Sequence, residues 1–188
     1  ERIRDGVTAF TTGAETRFLQ AIEDSRNWLS HGRTYDEQRY SPLQEINDGN
    51  VNNLGLAWYF DIPTRRGMEA TSIVVDGRMY VTGSWSIVYA IDASNGKEIW
   101  RYKAEKGYNV AKRGLLIWND KINNIAKLFF TNDDQLIALN AKTGQVINSF
   151  GKNGIINIGS SPIPPVVIKN KLIVATFRPS IEVYNVYT

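Results

Sequence analysis

The stretch VYAIDASNGKEIW, residues 88–100, constrains this chain more than any other because it returns twice. A second copy, LIALNAKTGQVIN, occupies residues 136–148, and a third, VYNVYT, occupies residues 183–188. Aligning Asp92, Asn140 and Asn185 gives spacings of 48 and 45 residues. A period of that length, made of short apolar runs, predicts a radial array of four-stranded sheets, a β-propeller. Propellers close with roughly 4–8 blades, and 188 residues at this spacing hold about three. The chain is therefore expected to be part of a longer polypeptide; the alternative is that further chains complete the ring.

The rows can be read strand by strand. First strands are expected at 72–75, 115–118 and 165–168, each followed by a polar turn pair: Asp76-Gly77, Asn119-Asp120 and Lys169-Asn170. Second strands follow at 79–82, 128–131 and 172–176, and third strands at 87–91, 136–139 and 181–184. Fourth strands, 98–102 and 146–150, are legible in two rows only. Asp92 and Asn140 end the third strands, with short side chains suited to bonding backbone amides two residues on. Asn95-Gly96 and Thr143-Gly144 supply positive-φ positions for the hairpin. Trp100 then offers a large ring to pack between neighbouring sheets. The second row has Asn148 at that place, so one blade lacks the anchor.

Ahead of the repeat, residues 14–29 place Phe18, Ala21, Ile22 and Leu29 at the spacing of a short amphipathic helix. Residues 31–53 are polar and turn-rich, and 54–62, LGLAWYFDI, are strand-like. This divides the chain into an N-terminal part, 1–53, and a partial propeller, 54–188, with blades near 72–102, 115–150 and 165–188. The fold class is all-β with one short N-terminal helix. A net charge of +3 with intermixed signs gives no nucleic-acid footprint. Cysteine is absent, which excludes disulfides and thiolate metal sites. No run of 18 apolar residues is present to span a membrane as a helix, and ERIRDGVTAF has no signal-peptide core.

The pattern A-x-D-A-x-x-G-K-x-x-W resembles the tryptophan-docking repeat of the eight-bladed quinoprotein dehydrogenases, which use pyrroloquinoline quinone (PQQ). NWLSHGRTYDEQRYSPLQEIN, residues 27–47, is similar to the N-terminal sequence of PQQ-dependent alcohol dehydrogenases, and RGMEATSIVVDGRMYVTGSWSIVYAIDA is similar to their first full blade. The resemblance implies a part of a periplasmic or secreted dehydrogenase oxidising alcohols, polyols or sugars by hydride transfer to the quinone. It further implies calcium, or another metal ion in the calcium position, as a second cofactor, and a cytochrome c or membrane quinone as electron acceptor. Self-association is open. No catalytic residue is assigned: the family's aspartate base is expected beyond Thr188, so the segment alone is expected to be inactive.

Three residues carry the cofactor site by resemblance. Glu69, in GMEAT, matches the family's acidic residue beside the cofactor. Arg113, in AKRGLLIW, matches an arginine aimed at a PQQ carboxylate or carbonyl, a task that suits a permanent charge and a planar fork of donors. Ser161, in IGSSPIPP, stands loosely for a threonine. Glu182 is the one carboxylate near the position of a calcium-ligating glutamate, in poor register, and calcium wants six or more oxygens. The adjacent cysteines that alcohol-oxidising members carry before the RG pair are missing from KGYNVAKRG, as they are in the sugar-oxidising branch. Other groups read structurally. His31, the single histidine, excludes a histidine triad or zinc cluster within the chain; Asp133-Asp134 reads as a hairpin turn; Trp58, Trp85, Trp100 and Trp118 read as blade core or inter-blade packing. The alternative function is a non-catalytic propeller scaffold that binds other proteins, like outer-membrane assembly lipoproteins.

Overall fold

In a strand, successive side chains point to opposite faces of the sheet, so a sheet covered on both sides carries near-continuous apolar runs. The repeat has this character, and the computed structural model, which describes residues 20–34, 36–106, 114–120 and 122–188, shows three successive antiparallel sheets. The first is β1 (Ile73–Val75), β2 (Arg78–Gly83), β3 (Ile87–Asp92) and β4 (Glu98–Lys103), paired in that order. The second is β5 (Leu116–Asp120), β6 (Ile125–Asn132), β7 (Gln135–Asn140) and β8 (Ile155–Asn157). The third has β9 (Val166–Ile168), β10 (Lys171–Thr176) and β11 (Ser180–Asn185). Asp92 pairs with Arg78, Asn140 with Lys127 and Asn185 with Lys171, so the residues aligned in sequence hold one ladder position in all three sheets. β5 touches β9. These sheets fan outward from their first strands, as blades do.

The alternation sorts the core. Tyr80, Val88 and Ala90 face the second sheet in the main core, while Met79, Val81, Tyr89 and Ile91 face the segment 54–62. In the third sheet Val167, Leu172 and Val174 are buried, while Val166, Ile168, Ile181 and Val183 lie on an exposed face.

Four secondary-structure expectations change. Within the 14–29 helix, the described part is a single 3-10 turn, Gln20–Ile22, and residues 14–19 lie outside the described residues. The buried Arg33 guanidinium takes the Ala21, Ile22 and Asp24 carbonyls that a continuing helix would bond internally. Residues 54–62 are extended but join no ladder; Trp58, Phe60 and Ile62 nevertheless turn inward onto the first sheet. The second fourth strand is not 146–150. Val146 makes one isolated bridge to Leu139, positive-φ Gly151, Asn153 and Gly154 loop the chain out, and β8 takes the edge instead. Asn119-Asp120 is the end of β5, not a turn.

The docking of tryptophan is explicit. Trp100 Nε1 donates to the Ala141 carbonyl at 3.1 Å, and its ring lies so close to Gly144 that a Cβ there would stand 2.6 Å from it. Trp58 makes the same contacts one blade earlier, donating to the Ala93 carbonyl at 3.1 Å over Gly96, again with 2.6 Å to an added Cβ. Residues 54–62 are thus the counterpart of β4. Trp118 is buried as expected, but Trp85 is 48% exposed on the β2–β3 turn and is not blade core.

Where Asn148 replaces the indole, a different device appears. Val186 follows Asn185 as Ala141 follows Asn140, and its carbonyl accepts from the buried Lys127 Nζ at 3.2 Å. That ammonium is ion-paired to the buried Asp120 at 3.0 Å and sits 5.7 and 5.6 Å from the ring centroids of Trp118 and Tyr187. Burial pushes the Asp120 carboxyl up, but hydrogen bonds from Asn123 and the Lys127 ammonium outweigh it and hold the carboxyl below its ordinary value.

Gly144→Ala is expected to lower stability by at least about 1–2 kcal/mol, the cost of a left-handed backbone at a residue with a Cβ, whereas Gly67→Ala, with open space around it, costs little; urea unfolding midpoints decide. Lys127→Met leaves a buried carboxylate alone and should cost about 3–5 kcal/mol, largely recovered by adding Asp120→Asn. Because the folded Asp120 carboxyl titrates below the unfolded one, its contribution is complete above the ordinary carboxylate range. It is lost as pH falls toward the folded value, a loss that unfolding of the Asp120→Asn/Lys127→Met pair should lack.

Candidate functional site

The first strands β1, β5 and β9 all begin at the same end of the molecule. Glu69 lies four residues before Ile73, and Ser161 lies five before Val166. Arg113 lies outside the described residues, as does most of KGYNVAKRG, so its side chain has no placement here. Its neighbour Gly114 is placed: φ is +105°, and an added Cβ would stand 2.5 Å from the Thr71 carbonyl oxygen. Only glycine permits that backbone and that approach. The close pass sets Gly114, just ahead of the first strand of the second blade, against Thr71 of the GMEAT loop of the first.

Hydrogen bonds link this end from blade to blade. Buried Ser86 donates to Asn132 Oδ1 at 2.7 Å, and Asn132 Nδ2 donates to the Lys106 carbonyl at 2.7 Å. Thr131 Oγ1 donates to the Ile163 carbonyl at 2.8 Å, and Ser161 N–H to the Asp133 carbonyl at 3.0 Å. Asp133 takes a positive φ of 51°, in keeping with the hairpin reading of Asp133-Asp134.

The candidates differ in what they present. Glu69 is exposed at this end. Ser161 is 2% exposed, and its hydroxyl donates to the Ile163 carbonyl at 3.3 Å, so it shapes its own loop. Glu182 accepts from Gly159 N–H at 3.1 Å and from the Tyr184 hydroxyl at 2.5 Å, which fixes β11 to the loop before β9. Burial and then the Glu182 carboxylate push the Tyr184 phenol up to about 12. Among the described residues no three His, Cys, Asp or Glu side chains gather as a metal-holding group. Glu182 is thus engaged as a structural acceptor. His31 accepts from Arg39 Nη2 through Nε2 at 2.7 Å, a local contact of the N-terminal segment.

At the opposite end the N-terminal segment closes on β1. Trp28 and Val74 exchange both backbone hydrogen bonds, at 2.8 and 2.9 Å, and Asn27 Oδ1 accepts from Asp76 N–H at 2.8 Å. Ala21 and Leu29 enter the main core. The family-like residues 27–34 therefore add a short rung to the inner edge of the first blade. Sequence reading missed this pairing and the roles of Ser86, Asn132 and Lys127. A polar residue inside an apolar strand, as Lys127 is in IAKLFF, was the available signal.

Gly114→Ala should separate the two loops and weaken whatever binds between them, with a measurable loss of stability by urea unfolding. Tyr184→Phe should remove the phenol that ionises near pH 12, seen as one fewer late-titrating tyrosine by ultraviolet absorbance.

Comparison with known proteins fits this geometry. Residues 28–182 match the PQQ glucose/ethanol/alcohol dehydrogenase β-propeller domain. Quinohemoprotein alcohol dehydrogenase ADH IIB of Pseudomonas putida is 42% identical over 177 residues, which cover 89% of this chain and 25% of that protein. The structure of quinohemoprotein alcohol dehydrogenase ADHIIG from Pseudomonas putida superposes with a TM-score of 0.73 at 36% identity, covering 88% of this chain and 25% of that one. A europium-containing methanol dehydrogenase superposes with a TM-score of 0.74 at 25% identity, covering 92% and 32%. The chain thus spans about a quarter of the length of such relatives, and it belongs to the family of PQQ-dependent glucose/ethanol/alcohol dehydrogenase β-propellers.

Proposed function

We propose that this chain forms the opening blades of a PQQ-dependent alcohol dehydrogenase and supplies one wall of its cofactor site. The observation that carries the reading is the Gly114–Thr71 approach, which sets the residue after Arg113 against the GMEAT loop where the first strands begin. PQQ is a planar tricarboxylate and, when bound, supplies the two-electron acceptor for alcohol oxidation. The chain's own part is binding and orientation. Arg113 offers a fixed positive charge and a planar donor fork to a carboxylate or carbonyl, Glu69 offers a carboxylate acceptor, and Ser161 holds the third loop in shape. Hydride transfer and the metal-assisted step are assigned to none of these three residues.

Alcohols are preferred over sugars as substrate class on the strength of the similarity to alcohol dehydrogenases, despite the absence of the adjacent cysteines. A cytochrome c or membrane quinone is the acceptor we assign, and the periplasm or exterior the compartment. No helix among the described residues is long and apolar enough to cross a membrane.

The full-length polypeptide, supplied with PQQ and calcium, should reduce an acceptor dye in the presence of primary alcohols. No dye reduction with alcohols contradicts the proposal, and reduction with aldoses alone redirects it to sugars. Arg113→Ala and Glu69→Ala should each weaken PQQ binding roughly 10–100-fold, the equivalent of about 1.5–3 kcal/mol for a hydrogen bond to a charged group. Unchanged titrations in both variants would remove these residues from the site.

A further inference from the structure

The β2–β3 turn of the first blade breaks local rules. Trp85 and Ser86 both adopt left-handed backbone, with φ of 64° and 59°. They close a three-residue turn, Ser84–Ser86, between the paired Gly83 and Ile87, and a left-handed backbone is costly for a residue with a bulky side chain such as tryptophan. The fold does not impose it: the three-residue turn of the third sheet, Phe177–Pro179, has no positive φ, and in the two-residue turn of the second sheet only Asp133 does. Backbone strain of this kind clusters where a side chain must be held in one place.

What the strain holds is an indole clamped to the loop that carries Glu69. Trp85 Nε1 donates to Thr64 Oγ1 at 3.3 Å, and the Arg66 guanidinium carbon lies 5.8 Å from the ring centroid. The ring remains 48% exposed, so these contacts do not serve core burial. Behind the indole the turn is locked to the blades. Ser86 is fully buried, donates to Asn132 Oδ1 at 2.7 Å across the blade boundary, and accepts from Ala104 N–H at 3.0 Å through its carbonyl. One side of the turn is thus anchored to the second sheet, and the other grips residues 64–66, which lie outside every ladder.

We propose that Trp85 is a positioning residue that fixes the 64–69 loop, and through it Glu69, at the cofactor-facing end of the first blade. The proposal rests on the cofactor role assigned to Glu69 above.

The test measures PQQ dissociation constants and apo-protein thermal midpoints in the full-length polypeptide, for wild type, Trp85→Gly, Trp85→Phe, Glu69→Ala and Trp85→Gly/Glu69→Ala. Glycine suits the positive φ, so Trp85→Gly should leave the thermal midpoint unchanged or raised while weakening PQQ binding about tenfold, the lower end for groups that orient a ligating residue from behind. Phenylalanine keeps a ring under Arg66 and should recover part of the loss. In the Glu69→Ala background Trp85→Gly should cost nothing further. An unchanged PQQ constant in Trp85→Gly, or a loss of equal size in the Glu69→Ala background, overturns the proposal. Failure of the wild type to bind PQQ instead removes the cofactor reading, and this inference with it.

Discussion

The structure depends on an indole laid over a glycine. A sheet twists and fans, and nothing in its ladder tells it how to sit against the next one. Trp58 over Gly96 and Trp100 over Gly144 supply that instruction, each adding a hydrogen bond to the carbonyl after the aligned Asp or Asn. The glycine is required twice over, by its positive φ and by the ring that occupies its Cβ position. The hairpin turn of one blade is therefore the receptor for the outer strand of the blade before it. Where the indole is lost, at Asn148, the corresponding Val186 carbonyl is met by Lys127, with Asp120 neutralising the buried ammonium. The acceptor is constant and its donor changes, which is what the cost of an unsatisfied buried carbonyl requires.

Docking at the outer edge has its consequence at the inner one. With the sheets fanned from their first strands, the loops leading into β1, β5 and β9 arrive at one end. The Gly114 approach and the Ser86–Asn132 bond then hold the first two blades in register there. A ligand-binding wall made this way draws one residue from each of several loops, so its geometry is set by blade packing, not by any single segment.

Much of the fold was legible in the sequence because the repeat is a ladder pattern. The third strands and their turns follow from period-2 apolar runs ending at Asp92, Asn140 and Asn185, and the register bears the alignment out. Trp100 was legible because its docking partner repeats. Trp58 was legible as packing, but not as the counterpart of Trp100, because no D-A-x-x-G turn precedes it in the chain; only its contacts reveal that kinship. The outer strand of the second blade was misplaced because Val146 and Ile147 are as strand-like as Ile155 and Ile156, and the intervening GKNG loop decides between them by its positive φ. Of the candidate site, Glu69 could be proposed only by resemblance, since an exposed loop carboxylate has no local signature. Trp85 was read as blade core or inter-blade packing, and it is not core, because composition cannot distinguish a buried indole from one clamped at the surface by Thr64 and Arg66.

The proposed cofactor wall lies where the first strands begin. The most direct measurement is an experimental structure of the full-length polypeptide loaded with PQQ. The account predicts the quinone at the end of the propeller where β1, β5 and β9 start, within hydrogen-bond distance of Glu69. A quinone bound at the opposite end, beside the Asp76-Gly77 turn and the Trp28–Val74 pair, or one that touches neither Glu69 nor Arg113, would contradict it.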